Sequence, residues 1–304
     1  MVNEDVVLLV ASEEDPASTV LSESVLSKRP WQTMFPDAHR WGDVRLWKRE
    51  ERLLGLDHID RDWHASTGEH PNEVIFLSRH VASSGRPALT VHPIGVPHLR
   101  PDEPPPFGGR SGRCVPPNPR MTDLWRRLLD VDLMEIGLGA FERSLEVTHH
   151  GPWLTAPSLF LEIGSDATMW DHRGAADCLS ELLLQSLEQG YTPGDRVVIT
   201  LGGGHYAPRA NRFGTEVEIG HMLANHSLRF GEDPEDGTWK QAVDAALEAT
   251  RASYPDARVV AHVERKSFKG PQRRCLLEHL RTSDVPVVRS ADLLTEDKGQ
   301  DSST

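Results

Sequence analysis

At 304 residues the chain can bury a substantial core, in one large unit or two smaller ones. A hydrophobic share of 38% against 26% charged residues excludes a disordered chain, and no apolar run approaches the length of a membrane span. The net charge of −13 argues against indiscriminate binding to polyanions, and three scattered cysteines without a CxxC pair exclude a disulfide framework or a thiolate metal site.

The acidic start Met1–Asp5 passes straight into Val6–Val10, which reads as a first strand. Without a basic n-region or an Arg-rich transit pattern, the expected location is the cytoplasm. Pro16–Val25 reads as a short helix, and residues 31–70 as irregular, with a hairpin around Val44–Trp47. Glu73–Ser78 and Pro87–His92 read as strands. Residues 101–120, dense in Pro, Gly and Arg, form an expected long loop acting as a lid or rim. Apolar residues at Leu124, Leu128, Val131 and Met134 predict a helix over Met121–Gly137. Two strands follow, one through Leu145–Val147 to His150 and one through Leu159–Ile163 to Ser165.

Asp171–Gln189 is the clearest helix, stopped by Gly190, and it leads to a strand at Val197–Leu201. Strand, helix and strand would then make a right-handed crossover if the strands are parallel. Trp239–Ser253 reads as a helix, Arg258–Val263 as a strand, Pro271–Leu280 as a helix with proline at its first position, and Val285–Val288 as a last strand. Residues 295–304 read as a disordered tail. The alternation predicts a three-layer α/β/α sandwich with a mostly parallel mixed sheet, residues 1–294 forming a single catalytic domain.

Four of the apolar runs end on polar turns: at His80, at His149-His150-Gly151-Pro152, at Gly164-Ser165 and at Gly202-Gly203-Gly204-His205. Ligands of an open α/β sheet bind beyond the carboxyl ends of its strands, so these turns predict one active site. Adjacent side chains of a regular strand face opposite ways, so His149 and His150 share a pocket only if the Gly-Pro turn swings the second ring round; the alternative is one packed and one exposed histidine. Glu162 interrupts an apolar strand and must be paired, with a metal or with an arginine such as Arg79. Three consecutive glycines suit a backbone that presents N–H groups to an oxyanion or a phosphate. Ser78 and Ser165 lack the Gly-x-Ser-x-Gly elbow of a serine nucleophile. Cationic residues gather at Arg265, Lys266, Lys269, Arg273 and Arg274, and again at Arg45, Lys48, Arg49 and Arg52.

The segments EVIFLSRH (73–80), RPALTVHPIGV (86–96), EVTHHGP (146–152), FLEIGS (160–165), GGGHYAP (202–208), Gly220-His221 and HVERKSFKG (262–270) together resemble the D-aminoacyl-tRNA deacylases of the archaeal and plant type, the plant branch more closely. They are spread over roughly two-thirds of the chain, and identical blocks in one order are more specific than any single motif. The resemblance implies hydrolysis of the ester of D-aminoacyl-tRNA to free D-amino acid and tRNA, extending in the plant branch to aldehyde-modified D-aminoacyl-tRNA. It also implies association with zinc and a fold like that of nucleoside phosphorylases and peptidyl-tRNA hydrolases.

On that basis His80, His149 and His150 are the expected catalytic residues, and His80, His150, Glu162 and His205 the expected zinc ligands. His149 would act as base, or as acid toward the departing ribose oxygen. Gly202, Gly203 and Gly204, with His92, Ser165 and His221, would bind the substrate, and Lys266, Lys269 and Arg209 the tRNA phosphates. D-selectivity would come from steric exclusion of the L side chain, and the enzyme is expected to be a monomer. Two other readings compete: a zinc peptidase or peptidyl-tRNA hydrolase on the same scaffold, and a non-catalytic tRNA- or nucleotide-binding protein.

Overall fold

The computed structural model describes residues 5–294; the expected tail at 295–304 lies outside them. The elements run β1 (Asp5–Ser12), α1 (Pro16–Lys28), β2 (Gln32–Phe35), β3 (Ala38–Trp41), β4 (Val44–Arg49), α2 (Ile59–Thr67), β5 (His70–Arg79) and β6 (Ala88–His92). They continue with α3 (Arg120–Asp130), β7 (Glu142–Leu145), β8 (Ser158–Gly164), α4 (Arg173–Gln189), β9 (Arg196–Leu201), α5 (Pro208–Phe213) and β10 (Glu218–Leu223). The last are α6 (Trp239–Ser253), β11 (Arg258–Val263), α7 (Gly270–Thr282), β12 (Val287–Val288) and α8 (Ser290–Leu293).

A mixed eight-stranded sheet has the order β2-β3-β4-β1-β5-β8-β6-β7. Its centre, β4, β1, β5 and β8, is parallel, and β6 runs antiparallel to β8. Successive side chains of a strand point to opposite faces, and on β1 both faces are apolar. Val7 and Leu9 pack with α1, α3 and α4 residues such as Leu21, Leu124 and Leu183, whereas Val6, Leu8 and Val10 pack with Ile59 and Trp63 of α2. The large, mostly parallel sheet between helices is therefore as the sequence predicts.

A second, wholly parallel sheet has the order β10-β9-β11-β12. Val197, Ile199 and Leu201 face α6 and α7, while Val198, Ile219 and Met222 join the core shared with the first sheet. The predicted β8–α4–β9 crossover within one sheet does not form. Both edges of β8 are taken by β5 and β6, so β9 nucleates the second sheet instead. Residues 31–70 are more ordered than their composition suggests: β3 and β4 form the expected hairpin, β2 extends it, and α2 closes one face. The helix predicted to Gly137 stops at Asp130, because the Asp132 side chain accepts from the Met134 and Glu135 N–H groups and folds a turn.

Candidate active site

The two sheets meet along residues 146–150. β7 ends at Leu145, earlier than expected, and the chain then crosses between the sheets. The Glu146 N–H donates to the Val91 carbonyl of β6, Val147 N–H to the His205 carbonyl after β9, and Thr148 N–H to the Met222 carbonyl of β10. Residues from both sheets are thereby drawn to one seam.

At His150 the backbone turns to a φ of +43°, which breaks strand alternation and brings both rings to the same side. The centroids of His149 and His150 lie 4.3 Å apart, those of His92 and His149 4.2 Å, and those of His149 and His205 4.8 Å. His80 enters from the end of β5, its Nδ1 2.9 Å from Glu146 Oε1 and 3.5 Å from Glu162 Oε2. His80, His149, His150 and His205 thus share one cluster. Glu162 faces His80, His92 and the Thr90 hydroxyl, which donates to it at 3.3 Å. It does not pair with Arg79, whose guanidinium lies over the Trp170 ring.

Three imidazoles carry the same signature. His92 Nδ1 donates to the Pro93 carbonyl at 3.1 Å, His149 Nδ1 to the Val147 carbonyl at 2.7 Å, and His150 Nδ1 to the Gly151 carbonyl at 2.7 Å. A carbonyl only accepts, so each Nδ1 carries hydrogen and, in the neutral ring, each Nε2 presents a lone pair. Burial pushes His149 well below the ordinary histidine value and His150 down to about 4.

On the other side of the cluster burial opposes charge but is outweighed. Glu146 and Glu162 push His80 up to about 11, His205 and His80 hold Glu146 well below the usual carboxylate range, and His80 and His92 hold Glu162 down to about 2. Possible metal-holding groups are His92–His149–His150, Glu146–His149–His205 and His80–Glu146–Glu162. Within the cluster, His92 Nε2 and Glu146 Oε1 are buried without a hydrogen-bond partner, His80 Nδ1 being close to the latter but out of line. Orphaned acceptors in a pocket of nitrogen and oxygen donors fit a metal ion. The residues expected to hold one ion, His80, His150, Glu162 and His205, are divided among these groups.

Several expected substrate contacts are placed elsewhere. The Gly202 N–H donates to the Leu223 carbonyl, and the Gly203 N–H to Asn225 Oδ1 and Ser267 Oγ, so neither amide is free for an oxyanion. Gly202 is required for another reason: at φ +98° its added Cβ would stand 2.9 Å from Ser267 Cβ and Phe268 Cε2. The Ser165 hydroxyl donates to the Arg86 carbonyl, and the Ser78 hydroxyl to Asp15 and the Arg79 carbonyl; neither meets a histidine. His221 is fully buried away from the cluster, bonded to the Thr148 hydroxyl at 2.8 Å and the Val115 carbonyl at 3.0 Å.

Lys266 and Lys269 are exposed beside the Gly203–Ser267 contact, whereas Arg209 is held by Glu264 at 2.8 Å. In the other basic stretch Arg45 pairs with Glu69, Arg49 with Glu51 and Arg52 with Glu14. Within the expected 101–120 loop the Phe107 carbonyl accepts from Gly151 N–H, next to His150, and a cleft of 920 Å³ separates the loop from α6.

Two residues of the site were not singled out from sequence. Glu146 follows the apolar Leu145 and directly precedes Val147, the same kind of interruption that exposes Glu162. Tyr206 follows His205, and its hydroxyl lies 3.3 Å from His80 Nε2.

The sequence model of the D-aminoacyl-tRNA deacylase family matches residues 67–288. A D-aminoacyl-tRNA deacylase of Arabidopsis thaliana is 38% identical, over 94% of this chain and 99% of its own length. One of Methanosphaerula palustris is 31% identical over 94% of this chain, which spans 59% of that longer protein. The crystal structure of a conserved protein of unknown function, AF0625, superimposes with a TM-score of 0.79 at 25% identity, covering 95% of this chain and 96% of that one.

Proposed function

Because the chain belongs to the D-aminoacyl-tRNA deacylase family, whose reaction is hydrolysis of the D-aminoacyl ester on tRNA, we propose how its seam cluster performs that reaction. Zinc would be held by the Nε2 atoms of His92, His149 and His150, whose Nδ1 hydrogens are fixed by backbone carbonyls, the usual support of a metal-bound imidazole. Three protein ligands leave an open position, as catalytic zinc requires. Zinc there supplies Lewis acidity toward the ester carbonyl and the attacking water.

His205 serves as base. Its Nε2 donates to Glu146 Oε2 at 3.0 Å, which fixes the tautomer and leaves the Nδ1 lone pair for the proton of water. The same ring then returns that proton to the departing ribose oxygen. His205 is half-exposed while Glu146 is fully buried, so the base meets solvent and its orienting carboxylate does not. His80 lies between Glu146 and Glu162 and holds both carboxylates in place.

Lys266 and Lys269 are the proposed phosphate contacts, which reconciles an acidic chain with a polyanionic substrate. Arg209 contributes less, since Glu264 already neutralises it. The observation that carries this reading is the convergence of His92, His149, His150 and the His205–Glu146 pair at one seam. Assay of matched D- and L-tyrosyl-tRNA, with metal analysis of the same preparation, tests it. Release of D-tyrosine alone, lost on stripping zinc and restored on readdition, is expected; equal cleavage of both enantiomers or an undiminished rate without metal would contradict it.

A further inference from the structure

Ester hydrolysis through a tetrahedral intermediate needs a donor aimed at the carbonyl oxygen as it gains charge. The Gly202 and Gly203 amides, engaged inside the protein, do not supply it. Tyr206 stands at the mouth of the cluster with its side chain exposed, an unusual position for a large ring, at 40% exposure. Its main chain is anchored: the Tyr206 carbonyl accepts from Ser144 Oγ at 3.1 Å and Asn211 Nδ2 at 3.0 Å. The ring stands edge-on to His205 at 5.3 Å and to His80 at 6.0 Å between centroids.

The hydroxyl is 3.3 Å from His80 Nε2. On its other side the His80 ring is pinned by Glu146 and Glu162, so its Nε2 stays fixed beside the hydroxyl. At 3.3 Å this contact is long for a hydroxyl, so the exposed phenol O–H can turn from it to a carbonyl oxygen that enters the mouth.

We propose that Tyr206 is a catalytic residue whose O–H hydrogen-bonds to the ester carbonyl oxygen as that oxygen becomes an oxyanion; the inference rests on the deacylase reading above. Water adds to the carbonyl carbon, forming a C–O bond while the π pair moves onto oxygen and the proton of water passes to His205. The pair returns as the bond to the ribose oxygen breaks, and that oxygen takes the proton from His205. Tyr206 keeps its own proton throughout and lends only a hydrogen bond.

The test is Tyr206→Phe, which keeps the ring and removes the donor. Single-turnover deacylation of D-tyrosyl-tRNA is measured beside the Kd for tRNA carrying D-tyrosine through a non-hydrolysable amide. The rate is expected to fall about 100-fold. Analogue affinity, zinc content and the thermal midpoint are expected to stay unchanged, because the hydrogen bond strengthens only in the transition state. Placing 3-fluorotyrosine at 206 should restore the rate, since shape and donor return together. An unchanged rate in Tyr206→Phe, or a loss matched by the same loss of analogue affinity, overturns the proposal. A wild-type protein inert toward D-tyrosyl-tRNA defeats the deacylase reading itself, so the two failures are distinguishable.

Discussion

Glu146 Oε2 accepts a hydrogen bond from His205 Nε2 across 3.0 Å, joining a residue that has just left the first sheet to one that has just left the second. The Glu146 side chain is fully buried, and two histidines other than His205 approach it: His80 at 2.9 Å and His149 at 3.7 Å. Its carboxylate therefore orients the His205 ring and holds the seam in register. Glu146→Gln keeps the shape but removes the charge that fixes the His205 tautomer. The deacylation rate is expected to fall by at least about 100-fold, in the range general acid–base catalysis contributes. Stopped-flow or quench assays on D-tyrosyl-tRNA check this, and full activity in the variant would remove His205–Glu146 from the mechanism.

In the proposed zinc site, occupancy would depend on imidazoles whose supporting carbonyls belong to their own turns. His150→Ala removes one Nε2 and is expected to lower zinc affinity by more than about 10-fold, the smallest cost seen for losing even an outer-shell partner. Elemental analysis after dialysis against a calibrated chelator measures the change. His279→Ala, on α7 and bonded to Asp244, should leave zinc content as it is.

Lys266 and Lys269 carry exposed charge near the glycine turn, so the tRNA contact proposed for them would be electrostatic. Replacing both with glutamate is expected to weaken binding of uncharged tRNA and to reduce the slope of log K against log salt by about one per lost phosphate contact. Arg209→Ala should change that slope less, because Glu264 already accepts from its guanidinium. Fluorescence titrations across a salt series report both, and an unaltered slope in the double variant would place the tRNA elsewhere.

The sequence shows most of the strands because their apolar runs are short, β-branched and bounded by glycine or proline; β1, β9 and β11 fall where periodicity puts them. It also shows His80, His149, His150, Glu162 and His205, since titratable residues at strand ends carry a cost that implies a use. Partition into two sheets is not legible, because it depends on β8 already having a neighbour on each side, a fact of pairing rather than of local pattern. Nor is the fate of Gly202 and Gly203, whose amides are engaged by Leu223, Asn225 and Ser267, well beyond the local turn. His221 misleads for a related reason: a histidine in the GH pair of a catalytic family looks like a ligand contact, but it is sealed beneath the 146–150 crossing.

That buried histidine gives a stability prediction with a definite sign. Burial pushes His221 down to about 3, from an ordinary value of 6.5, so the folded protein keeps it neutral where the unfolded chain would protonate it. Its contribution to stability is complete above pH 6.5 and erodes as pH falls from there toward 3. His221→Ala strands the Val115 carbonyl and the Thr148 hydroxyl, at a cost of about 1–3 kcal/mol at neutral pH. The variant should also lose part of the acid sensitivity, so that denaturation curves of wild type and variant draw together between pH 7 and pH 5, a window that follows from the ordinary histidine value. Since the Thr148 hydroxyl also accepts from the Met222 N–H, removing the ring loosens the crossing that carries His149 and His150, and catalysis should decline along with stability. Urea unfolding across that pH range measures the first effect; curves that stay parallel would show that His221 is not held neutral by burial.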